Sequence, residues 1–119
     1  MGLRPHMNFK EKIMGTQLCD VKASVELTSS GRLQGDVSGS ATNLGPCRII
    51  SINAHLTGAD GEITIQDATT ASGVIKIHLK GGSTSNDTLN FNFGGNGVKF
   101  DTAPYVTLAA IDSFTAYYA

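Results

Sequence analysis

The chain has 119 residues, of which 40% are hydrophobic, and its 9 basic and 10 acidic residues give a formal charge of −1. This length suits one domain with its own core, and a content of 14 glycines and 3 prolines excludes a collagen-like or low-complexity polymer. The balanced charge argues against nucleic acid as a partner, since phosphate binding needs a basic patch, and no apolar run reaches the roughly 20 residues that cross a membrane.

The first 20 residues differ in composition from the rest and are predicted to form an N-terminal arm. They contain all three methionines, of which Met7 and Met14 are both potential initiators, so whether residues 1–13 are native stays open. The segment lacks the apolar core of about 7 to 15 residues found in a secretory signal, and we expect synthesis in the cytoplasm. The arm either frays as a free terminus or docks on a neighbouring subunit.

Residues 21–119 are predicted to fold as a single all-β domain. Apolar and polar side chains alternate in one short segment after another, which places them on opposite faces of a strand. The regular spacing, with Gly, Asn and Asp between segments, is typical of an antiparallel β-sandwich, jelly-roll-like and with roughly eight short strands. The predicted strands cover residues 21–28, 32–37, 47–56, 62–66, 73–80, 88–93, 98–100, 105–109 and 114–118.

Three of the predicted connections consist almost entirely of small and polar residues. Residues 38–43 are predicted to be a loop, because they consist of Ser, Gly, Ala, Thr and Asn. Residues 57–61 include glycine twice and are predicted to close a hairpin between the strands on either side. Residues 94–97 read Gly-Gly-Asn-Gly and are predicted to be the tightest turn.

The predicted core consists of apolar residues at the inward phase of these strands. Burying side chains of this size contributes about 1.5 to 3 kcal/mol each, which is ample for one domain. The predicted core residues are Val25, Leu27, Ile50, Ile52, Leu56, Ile63, Ile65, Ile75, Ile77, Leu79, Leu89, Phe91, Phe93, Val98, Phe100, Val106, Leu108 and Phe114.

Two histidines and three carboxylates were weighed as metal ligands. His55 and His78 fall at the polar phase of strands taken to be adjacent, so with Asp60 or Asp67 they could form half a metal site. Asp60, Glu62 and Asp67 flank one turn, but their spacing does not match an alternating calcium loop. Surface histidines and a charged turn are favoured, and no metal is predicted.

No arrangement in the sequence indicates catalysis or a cofactor. No serine lies in the Gly-x-Ser-x-Gly motif that exposes a nucleophile. Residues 94–97 follow a strand without opening a helix, so they are not a phosphate loop. Cys47 begins a strand and is predicted to be a small buried hydrophobe rather than a reactive thiol. We therefore expect a protein that is not an enzyme.

Three tyrosines are the candidate interface residues: Tyr105, Tyr117 and Tyr118. The phenylalanines fall at the core phase, whereas adjacent Tyr117 and Tyr118 must face opposite sides of a strand. One of these two is therefore expected at an edge or interface. There it could contact another subunit or a bound ligand, and the sequence favours neither role.

The second part of the chain resembles a known family. Arg48, Ile49 and Ile50 open a strand; residues 61–67 read Gly-Glu-Ile-Thr-Ile-Gln-Asp; and residues 97–106 read Gly-Val-Lys-Phe-Asp-Thr-Ala-Pro-Tyr-Val. Together these motifs resemble small β-sandwich proteins of tailed-bacteriophage virions, over residues 47–119.

The resemblance implies a structural virion component made in the host cytoplasm, of the capsid decoration, cement or tail-associated type. It implies a homo-oligomer, with a trimer favoured, that contacts other virion proteins and binds neither nucleic acid nor membrane. The alternative function is a carbohydrate-binding or receptor-binding adhesive module of the same fold class, in which the tyrosines contact the ligand.

Overall fold

The computed structural model describes residues 21–84 and 87–119, and the predicted arm, residues 1–20, lies outside the described residues. Within the described ranges every regular element is a β-strand and none is a helix, so the all-β prediction is confirmed. The strands are β1 (Lys22–Ala23), β2 (Gly31–Arg32), β3 (Gln34–Val37), β4 (Ser40–Asn43), β5 (Cys47–Leu56), β6 (Gly61–Asp67), β7 (Val74–Gly81), β8 (Thr88–Asn92), β9 (Val98–Phe100), β10 (Pro104–Ala109) and β11 (Ile111–Tyr118).

These strands form three antiparallel sheets. A five-stranded sheet has the order β1-β11-β5-β8, with β9 also paired to β5, and a four-stranded sheet has the order β2-β10-β6-β7. Strands β3 and β4 pair with each other. The two larger sheets contribute to a single hydrophobic cluster, whose fully buried large side chains are Leu33, Ile49, Leu56, Ile63, Ile65, Phe100, Val106 and Phe114.

Strand β5 is the centre of the five-stranded sheet and was predicted with its correct ends. Its register against β11 shifts near one end, where Tyr117 pairs with Ser51 but Tyr118 pairs with Ile49. This shift leaves Ile50 as an extra residue, which is the geometry of a β-bulge. Ile49 is therefore fully buried and Ile50 only half-buried, and the prediction that Ile50 holds the core position was wrong.

A second bulge changes which side chains of β7 face the core. Ile77 pairs with Ile65, but Ile75 pairs with Gln66, so Lys76 is the extra residue. Ile77 is buried at 4% exposure, whereas Ile75 is 56% exposed. The prediction that Ile75 lies in the core was wrong, because the bulge moves it to the other face of the sheet.

The connection between β5 and β6 is not the predicted hairpin. The two strands do not pair, because β5 belongs to the five-stranded sheet and β6 to the four-stranded sheet. Leu56 before the turn and Ile63 after it are both fully buried. By crossing from one sheet to the other, the chain directs both apolar faces into one core.

The N-terminal part of the domain departs most from the prediction. The predicted strand 21–28 shortens to β1 followed by an isolated bridge between Leu27 and Phe114. The predicted loop 38–43 contains β4, which forms a hairpin with β3. Ser38 and Gly39 have φ angles of 53° and 84°, the paired positive values of a two-residue hairpin turn.

Residues 93–97 interrupt one edge of the five-stranded sheet. Strands β8 and β9 both pair with the same side of β5, β8 with Ser51–His55 and β9 with Cys47–Ile49. The glycine-rich segment therefore leaves this edge and returns to it, rather than closing a hairpin between β8 and β9. Gly97 re-enters with a φ angle of 69°, and a Cβ at this position would lie 2.6 Å from the carbonyl oxygen of Ile49.

Candidate functional site

The middle of the outer face of the five-stranded sheet is built from uncharged polar side chains in register. Ser51 of β5 pairs with Tyr117 of β11 on one side and with Asn92 of β8 on the other. Asn53 pairs in the same way with Thr115 and Asn90. These rows alternate with the buried residues Ile52, Ala54 and Ala116. Each row therefore points away from the core, because successive side chains of a strand face opposite sides.

The two rows enclose a shallow depression of about 360 Å³, which we call the Tyr117 depression. None of the described residues that line it is charged. The side chain of Tyr117 remains 36% exposed at its margin. The depression is lined by Ser51, Ile52, Asn53, Asn90, Phe91, Asn92 and Tyr117.

The asparagine side chains of the Tyr117 depression retain capacity for hydrogen bonds. Asn92 Oδ1 accepts one hydrogen bond from the Gly94 amide at 2.9 Å, which fixes the side chain and leaves its NH2 group as a donor. Asn53 and Asn90 are exposed, and their side chains take part in no hydrogen bond within residues 21–84 and 87–119. A primary amide offers two donor hydrogens and an acceptor oxygen. The depression therefore presents donors and acceptors in similar number.

The three candidate tyrosines occupy different environments. Tyr117 and Tyr118 face opposite sides of β11, as predicted, and Tyr118 is buried at 7% exposure. Burial raises the pKa of the Tyr118 hydroxyl, whose oxygen lies against Gly35. Tyr105 is half-buried in the four-stranded sheet, in register with Arg32 and Gln66. Of the three, Tyr117 is the one exposed on the five-stranded sheet.

The two histidines do not lie on adjacent strands, so that premise of the candidate metal site was wrong. His55 lies on β5 and its Nδ1 is 3.3 Å from Asp112 Oδ2. His78 lies on β7, in the other sheet, and its Nε2 is 2.6 Å from Glu62 Oε2. This hydrogen bond holds the pKa of Glu62 below its ordinary value. Each histidine therefore has its own carboxylate partner.

Asp67, a candidate calcium ligand in the sequence, binds backbone amides instead. Its Oδ1 accepts hydrogen bonds from Thr102 N at 2.8 Å and Ala103 N at 3.2 Å, and its Oδ2 accepts one from Asp101 N at 3.0 Å. Burial by itself would raise the pKa of Asp67, but these three donors outweigh it and the pKa is lowered. The carboxylate thus ties the end of β6 to the turn before β10.

Cys47 lies at the opposite end of β5 from the turn at residues 57–60. It lines a second depression, of about 300 Å³, together with Pro46, Arg48 and Phe100 among others. Burial, followed by the nearby charge of Asp67, raises the pKa of the thiol to about 11. At neutral pH the group is therefore a thiol rather than a nucleophilic thiolate.

Tyr117 was predicted from the sequence as a candidate interface residue, but the surface around it was not. The missed residues are Ser51, Asn53, Asn90 and Asn92, at the polar phase of the two predicted strands 47–56 and 88–93. The signal that could have found them is that most residues at the polar phase of these two strands are uncharged. Only strand pairing shows that β5 and β8 are neighbours and that the polar residues share one face.

Within the described residues, no three His, Cys, Asp or Glu side chains come together as a group that could hold a metal ion. The described part of the chain also contains no helix of sufficient length and apolar character to cross a bilayer. No family model, curated protein or solved structure matches this chain.

Proposed function

We propose that this protein is a non-enzymatic structural component of a tailed-phage virion, of the capsid decoration, cement or tail-associated type. It self-associates through the edge of a jelly-roll-like β-sandwich. On this proposal it is made in the host cytoplasm and ends in the virion, where it contacts other virion proteins. The resemblance over residues 47–119 supports the virion assignment, and the open edge at β8 is the observation that carries self-association.

Strand β8 is an edge strand without the features that usually block pairing. Within residues 21–84 and 87–119 it pairs on one side only, with β5. Its sequence, Thr-Leu-Asn-Phe-Asn, has no charged residue and no proline, and Phe91 is 44% exposed. Edge strands are normally protected by lysine, proline or a bulge. Strand β7, at one edge of the four-stranded sheet, carries Lys76 and Lys80 and has such protection.

The backbone of β8 offers a second strand three residues with outward-pointing groups. Leu56 N donates to Asp87 O at 3.0 Å and Phe93 N donates to Ile50 O at 2.9 Å. Hydrogen-bonded and non-hydrogen-bonded pairs alternate along an antiparallel ladder. Leu89 and Phe91 therefore bond to β5, whereas the N–H and C=O groups of the alternate residues point to the open side. Those alternate residues are Thr88, Asn90 and Asn92.

The occupant that fits this edge is β8 of a second copy. Antiparallel pairing centred on Asn90 sets Asn90 opposite its own equivalent and Thr88 opposite Asn92, so every outward-pointing group gains a partner. The same register places Leu89 opposite Phe91 on the core-facing side, where apolar cross-strand pairs are favourable. No like charges meet, because β8 has none.

Multi-angle light scattering of wild type and a β8 variant tests self-association. The wild type is expected at a multiple of the 12.5 kDa chain. Thr88→Lys, which adds charge to the exposed edge, is expected to give a monomer. Thr107→Lys is the matched control, because Thr107 is an exposed threonine on β10, which has neighbours on both sides. A monomeric wild type, or an oligomer unaffected by Thr88→Lys, would contradict the proposal.

The measured mass also tests the number of copies. Pairing of β8 with itself is a two-fold contact and gives a dimer. The trimer favoured by the resemblance stays a prediction, and it requires β8 to pair with a different edge of its neighbour.

Mass spectrometry of phage particles tests the virion assignment separately from self-association. The particles are purified from a lysate of the host that encodes the chain, and peptides of this chain are expected in them. Their absence from intact particles would contradict the assignment.

A second candidate function is a carbohydrate-binding or receptor-binding adhesive module. The Tyr117 depression favours it, because a polar surface of uncharged side chains with an accessible aromatic ring suits hydroxyl-rich ligands. This function is compatible with self-association, because pairing through β8 uses backbone groups at the edge of the sheet, whereas the depression uses side chains of Asn90 and Asn92 on its face.

A further inference from the structure

We infer that the Tyr117 depression binds a neutral saccharide. In this site the Tyr117 ring packs on the sugar, and the amides of Asn53, Asn90 and Asn92 bond to its hydroxyl groups. The inference rests on the second candidate function and gives it a specific site and ligand class. It does not require the chain to self-associate.

The polar groups of the depression match the chemistry of a sugar hydroxyl. Each hydroxyl both donates and accepts a hydrogen bond, and a primary amide can serve both needs at once. Asn53 and Asn90 have side chains that are not committed to partners within the described residues. Asn92 is held in place through its Oδ1 by the Gly94 amide, so its NH2 group is oriented before a ligand arrives. Such preorganisation reduces the entropy cost of binding.

Tyr117 gives the site an apolar wall opposite the amides. The row of Tyr117, Ser51 and Asn92 crosses three neighbouring strands, a span of about 10 Å from the spacing between strands. A sugar ring lying across β5 would therefore meet the aromatic ring on one side and an amide on the other. The volume of about 360 Å³ is at the small end of ligand sites, which indicates one end or one unit of a glycan.

The absence of charge in the lining defines the class of saccharide. A sialic acid, a uronic acid or a phosphorylated sugar would lose the hydration of its charge without gaining a cation in return. Among the described residues, the lining also contains no carboxylate, whereas glycoside hydrolysis commonly uses a pair of them. The expected activity is therefore binding of a neutral sugar without its cleavage.

A glycan array followed by NMR titration tests this inference. The array carries neutral oligomers of glucose, galactose and mannose together with sialylated and sulfated counterparts. Wild type is expected to bind one or more neutral oligomers. In the titration of a ¹⁵N-labelled sample, the side-chain NH2 signals of Asn53, Asn90 and Asn92 are expected to shift.

Three variants separate this site from the rest of the surface. Tyr117→Ala and Asn90→Ala are each expected to weaken binding by about tenfold or more, the loss of roughly one good contact. Tyr105→Ala is the matched control, because Tyr105 lies on the other sheet, and it is expected to bind as wild type does. Thermal melting of each variant checks that the fold is intact.

The outcomes distinguish this inference from self-association. Failure of every neutral oligomer to bind, binding of acidic glycans alone, or neutral-glycan binding that survives Tyr117→Ala in a folded variant would each overturn it. Thr88→Lys is expected to keep glycan binding even as a monomer. Loss of the oligomer therefore reports on the β8 edge, and loss of glycan binding reports on the Tyr117 depression.

Discussion

The carboxylate of Asp67 accepts hydrogen bonds from three consecutive backbone amides, at residues 34 to 36 positions further along the chain. At the sequence level this aspartate was one of several acidic residues near a turn, and nothing local separates it from Asp60. Its role depends on a turn brought close by the pairing of β10 with β6. A contact at this sequence separation leaves no pattern in the local sequence.

Removing the Asp67 carboxylate should destabilise the protein. Asp67→Ala leaves three amides without their acceptor, and at about 0.5 to 1.5 kcal/mol for each bond, reduced by solvent exposure, we expect a loss of about 1 to 3 kcal/mol. Urea unfolding measures this loss of unfolding free energy. Asp101→Ala is the control, because within residues 21–84 and 87–119 the Asp101 carboxylate has only an exposed ion pair with Lys99 at 3.5 Å. Equal effects of the two substitutions would contradict the assigned role.

Two glycines in the first part of the domain should differ sharply in their tolerance of alanine. A Cβ at Gly35 would overlap the Tyr118 hydroxyl and lie 2.9 Å from a Leu44 methyl carbon. A Cβ at Gly31 would meet no atom of the described part of the chain within 4 Å. We expect Gly35→Ala to cost about 1 to 3 kcal/mol through overpacking and Gly31→Ala to cost little. Thermal melting of both variants checks this, and a tolerant Gly35 would show that Tyr118 is not packed there.

At the scale of elements, strand β7 offers a direct test of its bulge. Alternation alone makes Ile75 and Ile77 equivalent, but the structure buries Ile77 and exposes Ile75. Ile77→Ala should therefore cost about 2 to 5 kcal/mol of unfolding free energy through the cavity it leaves. Ile75→Ala should cost much less. Similar losses in urea unfolding would mean that β7 pairs with β6 without the bulge.

From Cys47 onward, alternation of apolar and polar residues sufficed to predict the strands but not their partners. The ends of β5 and β9 were predicted correctly, because glycine, proline or polar residues interrupt the pattern beside them. The bulges at Ile50 and Lys76 were missed, since each depends on the register with a neighbouring strand. The crossing from β5 to β6 was missed for the same reason. The sequence of a turn does not determine which sheet the next strand joins.

The candidate site could be predicted only in part for a related reason. Tyr117 was identified because two adjacent tyrosines cannot both face the core. Asn90 and Asn92 were read as the polar side of a single strand. Their position beside Asn53 and across β5 from Tyr117 follows from two separate pairings, neither of which is encoded within one segment.

For the whole molecule, the carboxylates predict how stability depends on pH. The His78 hydrogen bond lowers the pKa of Glu62 from its ordinary 4.5, and backbone amides of Ser83 and Thr84 lower that of Asp87 from 3.8. The pKa of Asp67 is lowered as well. A carboxyl whose pKa is depressed by folding stabilises the protein above its unfolded pKa, and this contribution is lost as the pH falls through the folded value.

Unfolding free energy should therefore stay nearly level down to about pH 5 and decline below about pH 4. Urea unfolding at a series of pH values measures the profile. Asp67→Asn should flatten part of the decline, because its side chain does not titrate. Stability that rises on acidification through this range would contradict the assigned hydrogen bonds.

We propose that the molecule works by contact through its five-stranded sheet, beginning with the open edge of β8. Amide hydrogen exchange followed by NMR at increasing protein concentration tests it residue by residue. We expect the amides of Thr88, Asn90 and Asn92 to exchange rapidly in dilute samples and to become protected as the concentration rises. The amides of Leu89 and Phe91 should be protected throughout. Exchange at Thr88, Asn90 and Asn92 that stays rapid at every concentration would contradict it.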